Sequence, residues 1–113
     1  MATATKQFLS ASTDGMPITI SSTSSASPVT IHTCPSGATT IDEIYLFTVN
    51  NGTTDATLTF NFGGTDIIVP VATGVGLITQ IPGLLLRNGK TVTAYSSIAN
   101  VVSVVGFVNR IVN

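Results

Sequence analysis

Val, Ile and Thr together make up 42 of the 113 residues, while Glu occurs once and Lys twice. β-branched side chains lose rotamer freedom in a helix and pack well on a pleated surface, and the straight-chain polar residues that favour exposed helices are almost missing. The chain is therefore expected to be all-β. Its length fits one domain, and surface scaling for that mass predicts about 5,800 Å² of accessible surface once folded.

Turn residues cut the chain into short pieces. Residues 1–15 are polar apart from Phe8 and Leu9 and end at Asp14-Gly15, so they read as an N-terminal arm, with residues 16–113 as the folded domain. Strands are expected over Met16–Ser21 and Val29–Thr33, separated by the loop Ser21–Ser27. Thr40–Asn50 carries Ile44, Leu46 and Thr48 on one face and Glu43, Tyr45, Phe47 and Val49 on the other, which places it inside a sheet. Asn50-Asn51-Gly52 is a hairpin-type turn into Ala56–Phe62, whose Leu58, Phe60 and Phe62 alternate with polar residues. Gly63-Gly64 leads to Thr65–Val71, which Pro70 marks as an edge or an end.

After the loop Gly74–Gly76, a strand through Leu77–Ile81 is expected to stop at Pro82-Gly83. Asn88-Gly89 supplies two residues suited to positive φ, predicting a type I′ hairpin within Leu84–Ser96. Val101–Val112 is the last strand, and Gly106 in its middle signals a bulge or a close backbone approach. Eight or so short strands at this spacing predict a single-domain antiparallel β-sandwich, jelly-roll-like.

Charge excludes several functions. Only Lys6, Arg87, Lys90 and Arg110 are basic and the net charge is -1, too little to neutralise a run of phosphates, so no nucleic-acid partner is expected. Mean hydropathy is +0.51, but polar residues interrupt every apolar stretch, so no membrane partner is expected either. The first ten residues lack an apolar core of the kind a secretory signal needs, which points to synthesis in a cytoplasm. The 30 Ser and Thr residues give a surface of short hydroxyl groups, suited to close packing in an assembly.

Candidate chemistry is sparse. His32 and Cys34 are two apart and share a strand face, yet no further His or Cys exists to complete a site, so both are read as buried or half-buried structural residues. Asp14, Asp42, Glu43, Asp55 and Asp66 are scattered and read as solvated loop acids or turn caps. The chain has no nucleophile elbow, and Gly74-x-Gly76 lacks the Lys and helix of a phosphate loop. No catalytic residue, cofactor or metal site is expected, and the chain reads as a non-enzyme. Tyr45 and Tyr95 are expected to pack in the core, which weakens a glycan-binding reading.

The stretch from Leu84 to Val112, LLLRNGKTVTAYSSIANVVSVVGFVNRIV, resembles the C-terminal part of small virion structural proteins of tailed bacteriophages. The matching positions include Asn88, Gly89, Val92, Ala94, Tyr95, Asn100, Gly106, Asn109 and Arg110. The resemblance implies a capsid decoration or cement protein, made in the host cytoplasm, that sits on the capsid surface and binds the major capsid protein as a homo-oligomer, a trimer being the expected form. A small tail or head-to-tail adaptor subunit and a glycan-binding β-sandwich are the alternatives. Lys6, Gln7, Phe8 and Leu9 in the arm are the expected partner-binding residues, the two apolar side chains acting as anchors on a neighbour.

Overall fold

A computed structural model describes residues 2–113; Met1, the first residue of the expected arm, lies outside them. Nine strands run in order: β1 (Thr3–Phe8), β2 (Ile18–Thr19), β3 (Val29–Thr33), β4 (Thr40–Asn50), β5 (Ala56–Phe62), β6 (Thr65–Val71), β7 (Ile78–Arg87), β8 (Thr91–Ser96) and β9 (Val102–Val112). The described residues contain no helix, as the β-branched composition requires.

The strand pairing is nested. β5 pairs with β6 across the Gly63-Gly64 turn, β4 with β7, β3 with β8, and β2 with β9, all antiparallel. Two lateral pairings, β4 with β9 and β5 with β8, roll this long hairpin into two sheets. One sheet runs β1-β9-β4-β7, with β2 also on β9; the other runs β3-β8-β5-β6. Strands β2 to β9 in this order form the jelly roll, and β1 shares the outer edge of β9 with β2.

The inward faces meet in one core. Ile44 and Leu46 of β4, Val104 and Val108 of β9, Leu58 and Phe60 of β5, and Val92 and Ala94 of β8 are buried there. Each large side chain of this kind contributes about 1.5–3 kcal/mol on leaving water. The accessible surface is 5888 Å², close to the value expected for a compact chain of this mass.

Several local expectations change in the fold. The segment read as an arm is built into the sheet: β1 pairs with residues 107–112 of β9, and Leu9 is buried in the chain's own core. The expected first strand shrinks to Ile18–Thr19. Asn50-Asn51-Gly52 is not a hairpin, because β4 and β5 lie in different sheets. The buried Asn50 side chain holds this crossing, donating to the Thr54 and Val71 carbonyls and accepting from the Gly52 N–H.

Pro82-Gly83 does not end a strand either. β7 continues through it on the outer edge, where a missing N–H is tolerated, and the register with β4 shifts twice. At Asn88 and Gly89, φ is 64° and 72°, the signs a type I′ turn demands. The flanking strands nevertheless separate, β7 into one sheet and β8 into the other. At Gly106 the pairing with β4 runs without a register shift, so there is no bulge. A Cβ there would collide with the Tyr45 carbonyl oxygen, and glycine allows the two backbones their close approach.

Candidate functional site

A polar cluster is buried where β3, β4 and β9 meet the segment after β1. A register irregularity at Thr30/His32 turns both Ile31 and His32 inward, departing from simple alternation. His32 Nε2 lies 2.7 Å from Asp42 Oδ2, and the backbone N–H of Ser10 donates to His32 Nδ1 at 3.0 Å. Because Nδ1 accepts a hydrogen bond, the ring proton sits on Nε2 and is donated to Asp42. Arg110, directly across the sheet from Asp42, grips both carboxylate oxygens at 2.8 and 3.1 Å. Ser10 Oγ in turn accepts the N–H of Thr33 at 2.7 Å.

Burial pushes the Asp42 carboxyl up, but the hydrogen bonds from Arg110 and His32, together with the Arg110 charge, outweigh it and hold the carboxyl below its ordinary value. Cys34 lies beside this cluster. Ligand atoms of His32, Cys34 and Asp42 all fall within 4.8 Å of one another, with every residue buried. Nitrogen, sulfur and oxygen donors in this combination suit zinc.

Their hydrogen bonds engage them otherwise. The Nε2 atom facing the cluster carries a proton, both Asp42 oxygens accept from cations or the ring, and Arg110 places a positive charge against any metal. Desolvation, followed by the charge of Asp42, pushes the Cys34 thiol up to about 11, the opposite of what a nucleophile needs. Arranged in this way the groups form a lock that fixes the meeting of four chain segments, in which no buried side-chain nitrogen or oxygen lacks a hydrogen-bond partner.

The lock was half legible. His32 and Cys34 stand out as the chain's single His and Cys, whereas Asp42 and Arg110 were missed as partners. The signal was present: Asp42 has the same phase as Ile44, Leu46 and Thr48, a charge on a core-facing row. Asp55 and Asp66 behave as expected, Asp55 accepting the Thr73 N–H at 3.0 Å and Asp66 accepting from Asn61 Nδ2 at 3.0 Å, whereas Asp42 is buried and Glu43 half-buried within β4, where the strand alternation places them and neither is a solvated loop acid.

Tyr45 and Tyr95 are both on outer faces and only partly buried, contrary to the expectation of core packing. Phe8, Phe107 and Tyr45 are register partners and form a row across β1, β9 and β4. The Tyr45 and Phe107 rings stack at 4.7 Å, and Lys6 Nζ lies 5.5 Å from the Phe107 ring centre. One row along stands a polar set, in which Glu43 Oε1 accepts from the Tyr45 hydroxyl at 2.8 Å and from Asn109 Nδ2 at 3.4 Å. Of the four arm residues, Lys6 covers Phe107, Gln7 donates to Thr5 Oγ1, Phe8 is 62% exposed and Leu9 is buried.

The outer edge of the same sheet is apolar. β7 pairs with β4 on one side only, and Leu77, Ile78, Leu84 and Leu85 along it are exposed, Leu77 by 57% and Leu85 by 58%. Its far end borders a groove of about 500 Å³ lined by Ile41, Leu85, Leu86, Arg87, Asn88 and Lys90. Comparison with family models, with curated proteins and with solved structures found no match to this chain.

Proposed function

We propose that the chain is a non-enzymatic virion structural protein, a capsid decoration or cement subunit. It acts by covering surface of the major capsid protein and by contacts between copies. The observation that carries this reading is the outer side of β7, which no described strand pairs and which, with the preceding Leu77, presents four exposed aliphatic side chains and no charge before Arg87. Exposed apolar edges of this length are normally covered by a partner. The jelly roll is an architecture of viral shell domains as well as of lectins, and the ionisable cluster buried among the described residues serves the fold. The test is co-sedimentation of the purified protein with capsids that lack it. Saturable binding at a copy number matching the shell lattice supports the reading, a dozen copies or fewer moves it to the tail or adaptor position, and no binding overturns it.

The aromatic row favours a second reading, a glycan-binding sandwich. Phe8 offers an exposed ring beside Lys6, Asn109 and Glu43, a mixture of apolar and planar polar groups that a pyranose can use. Against it, the Tyr45 and Phe107 rings cover one another. Saturation-transfer NMR with neutral oligosaccharides separates the two readings: signal lost on Phe8→Ala supports the second, and no transfer removes it.

A further inference from the structure

The segment Thr3–Ala11 is attached to the sandwich in a way that no other strand is. Every residue of β1 is exposed, so what holds it is the backbone ladder to residues 107–112 of β9 and, on the surface, Lys6 over the Phe107 ring. Behind it comes a plug. Leu9 is buried, Ser10 is held by His32 Nδ1 and by the Thr33 N–H, and the Ala11 N–H donates to the Ile31 carbonyl at 3.3 Å. Residues 12–17 then double back so that β2 reaches the same edge of β9 that β1 occupies.

That reversal is tight. It passes through Asp14 at φ 53° and Gly15 at φ 83°, and the Met16 N–H closes it on the Thr13 carbonyl at 2.9 Å. Asp14 is a residue with a side chain in the left-handed region. Pro17 follows Met16 and biases it toward an extended conformation. A short strained connection next to a detachable strand is the arrangement that favours exchange of that strand between copies.

We propose that β1 and its Leu9–Ala11 plug are exchanged between two copies of this chain, each laying its N-terminal strand on the β9 edge of the other. The occupant is a second copy because only an identical segment reproduces the whole set of contacts: the ladder to β9, the Leu9 socket, the acceptor at His32 Nδ1 and the Ile31 carbonyl. Exchange keeps those contacts and lets residues 12–17 extend, spanning about 20 Å, and a net charge of -1 opposes the approach only weakly. This inference concerns contacts between copies and does not depend on the virion reading.

The test places cysteine pairs across the β1–β9 ladder in a Cys34→Ala background, Thr3→Cys with Val112→Cys in one protein and Ala4→Cys with Ile111→Cys in another. These are successive register pairs, so one of the two is the closer, non-hydrogen-bonded kind. After assembly at high concentration and oxidation, denaturing electrophoresis without reductant should show most of the protein as covalent dimers. Protein running entirely as internally bridged monomer overturns the exchange. Native mass spectrometry of variants with the linker relieved, Asp14→Gly or a Gly-Ser-Gly insertion after Gly15, gives an independent reading. The multimeric fraction should fall several-fold, and an unchanged fraction also overturns it.

Discussion

Asp42 shows how one buried charge is made tolerable. A carboxylate without partners in this core would bind a proton or unfold the region, but two guanidinium hydrogen bonds and the His32 Nε2–H supply what water would have given. Its folded pKa lies below the unfolded value of about 3.9, so between the two the folded chain binds fewer protons than the unfolded chain. The stabilisation is therefore complete above about pH 5 and is lost as pH falls through the depressed folded value. Asp42→Asn removes the charge, leaves Arg110 without its counter-ion, and should cost about 3–5 kcal/mol, a fall in Tm of roughly 10 °C or more. The variant should also flatten the dependence of Tm on pH in the acid range, which thermal unfolding monitored by circular dichroism measures. Cys34, buried and with its thiol pushed up to about 11, should resist alkylation by iodoacetamide at pH 8 in the folded protein and react fully in denaturant. The residue pattern made Asp42 findable, since a charge in phase with Ile44 and Leu46 has to be satisfied. Its partner Arg110 was not findable, because their pairing depends on the register between β4 and β9, 68 positions apart.

Strands were more legible than the connections between them. Val29–Thr33, Thr40–Asn50, Ala56–Phe62 and Thr65–Val71 have in the structure the limits their alternation and flanking turn residues predict. Turn chemistry also held locally at Asn88-Gly89, where both residues take positive φ. What it could not report is which sheet the next strand joins. That choice follows from long-range pairing: β9 takes the place beside β4 and β8 the place beside β5, so the chain crosses between sheets after β4 and after β7. Gly106 belongs to this scale because it sits where the backbone of β4 leaves no room for a side chain on β9. Gly106→Ala puts a Cβ into the Tyr45 carbonyl, and backbone on both sides leaves no flexible side chain to move away. The variant should lose about 3 kcal/mol or more, seen as a fall in the denaturant midpoint, whereas Gly74→Ala, with open space around it but positive φ, should lose only about 1 kcal/mol.

At the scale of the molecule, the nested pairing explains why one edge stays open. Rolling a long hairpin buries the inward faces of both sheets and leaves each sheet with two edges. In the first sheet, β1 and β2 cover one side of β9, while no strand among the described residues pairs with the outer side of β7. Pro82 and the register shifts near it interrupt β7 as a template for continuous strand addition, so a capsid partner of the kind proposed would engage its side chains more than its backbone. Leu77 and Leu85 are more than half exposed, and replacing both, Leu77→Glu with Leu85→Lys, keeps the net charge and removes little buried area. Surface changes of this kind alter stability by about 0.5 kcal/mol or less, so Tm should move by no more than a few degrees. Binding to capsids should weaken at least tenfold in co-sedimentation if the β7 edge is the docking surface, because apolar anchors dominate an interface of this composition. The cysteine bridges across β1 and β9 lie on the opposite side of the sheet and should form as before. Retained capsid binding by the double variant would instead direct the search to the aromatic row of Phe8, Phe107 and Tyr45.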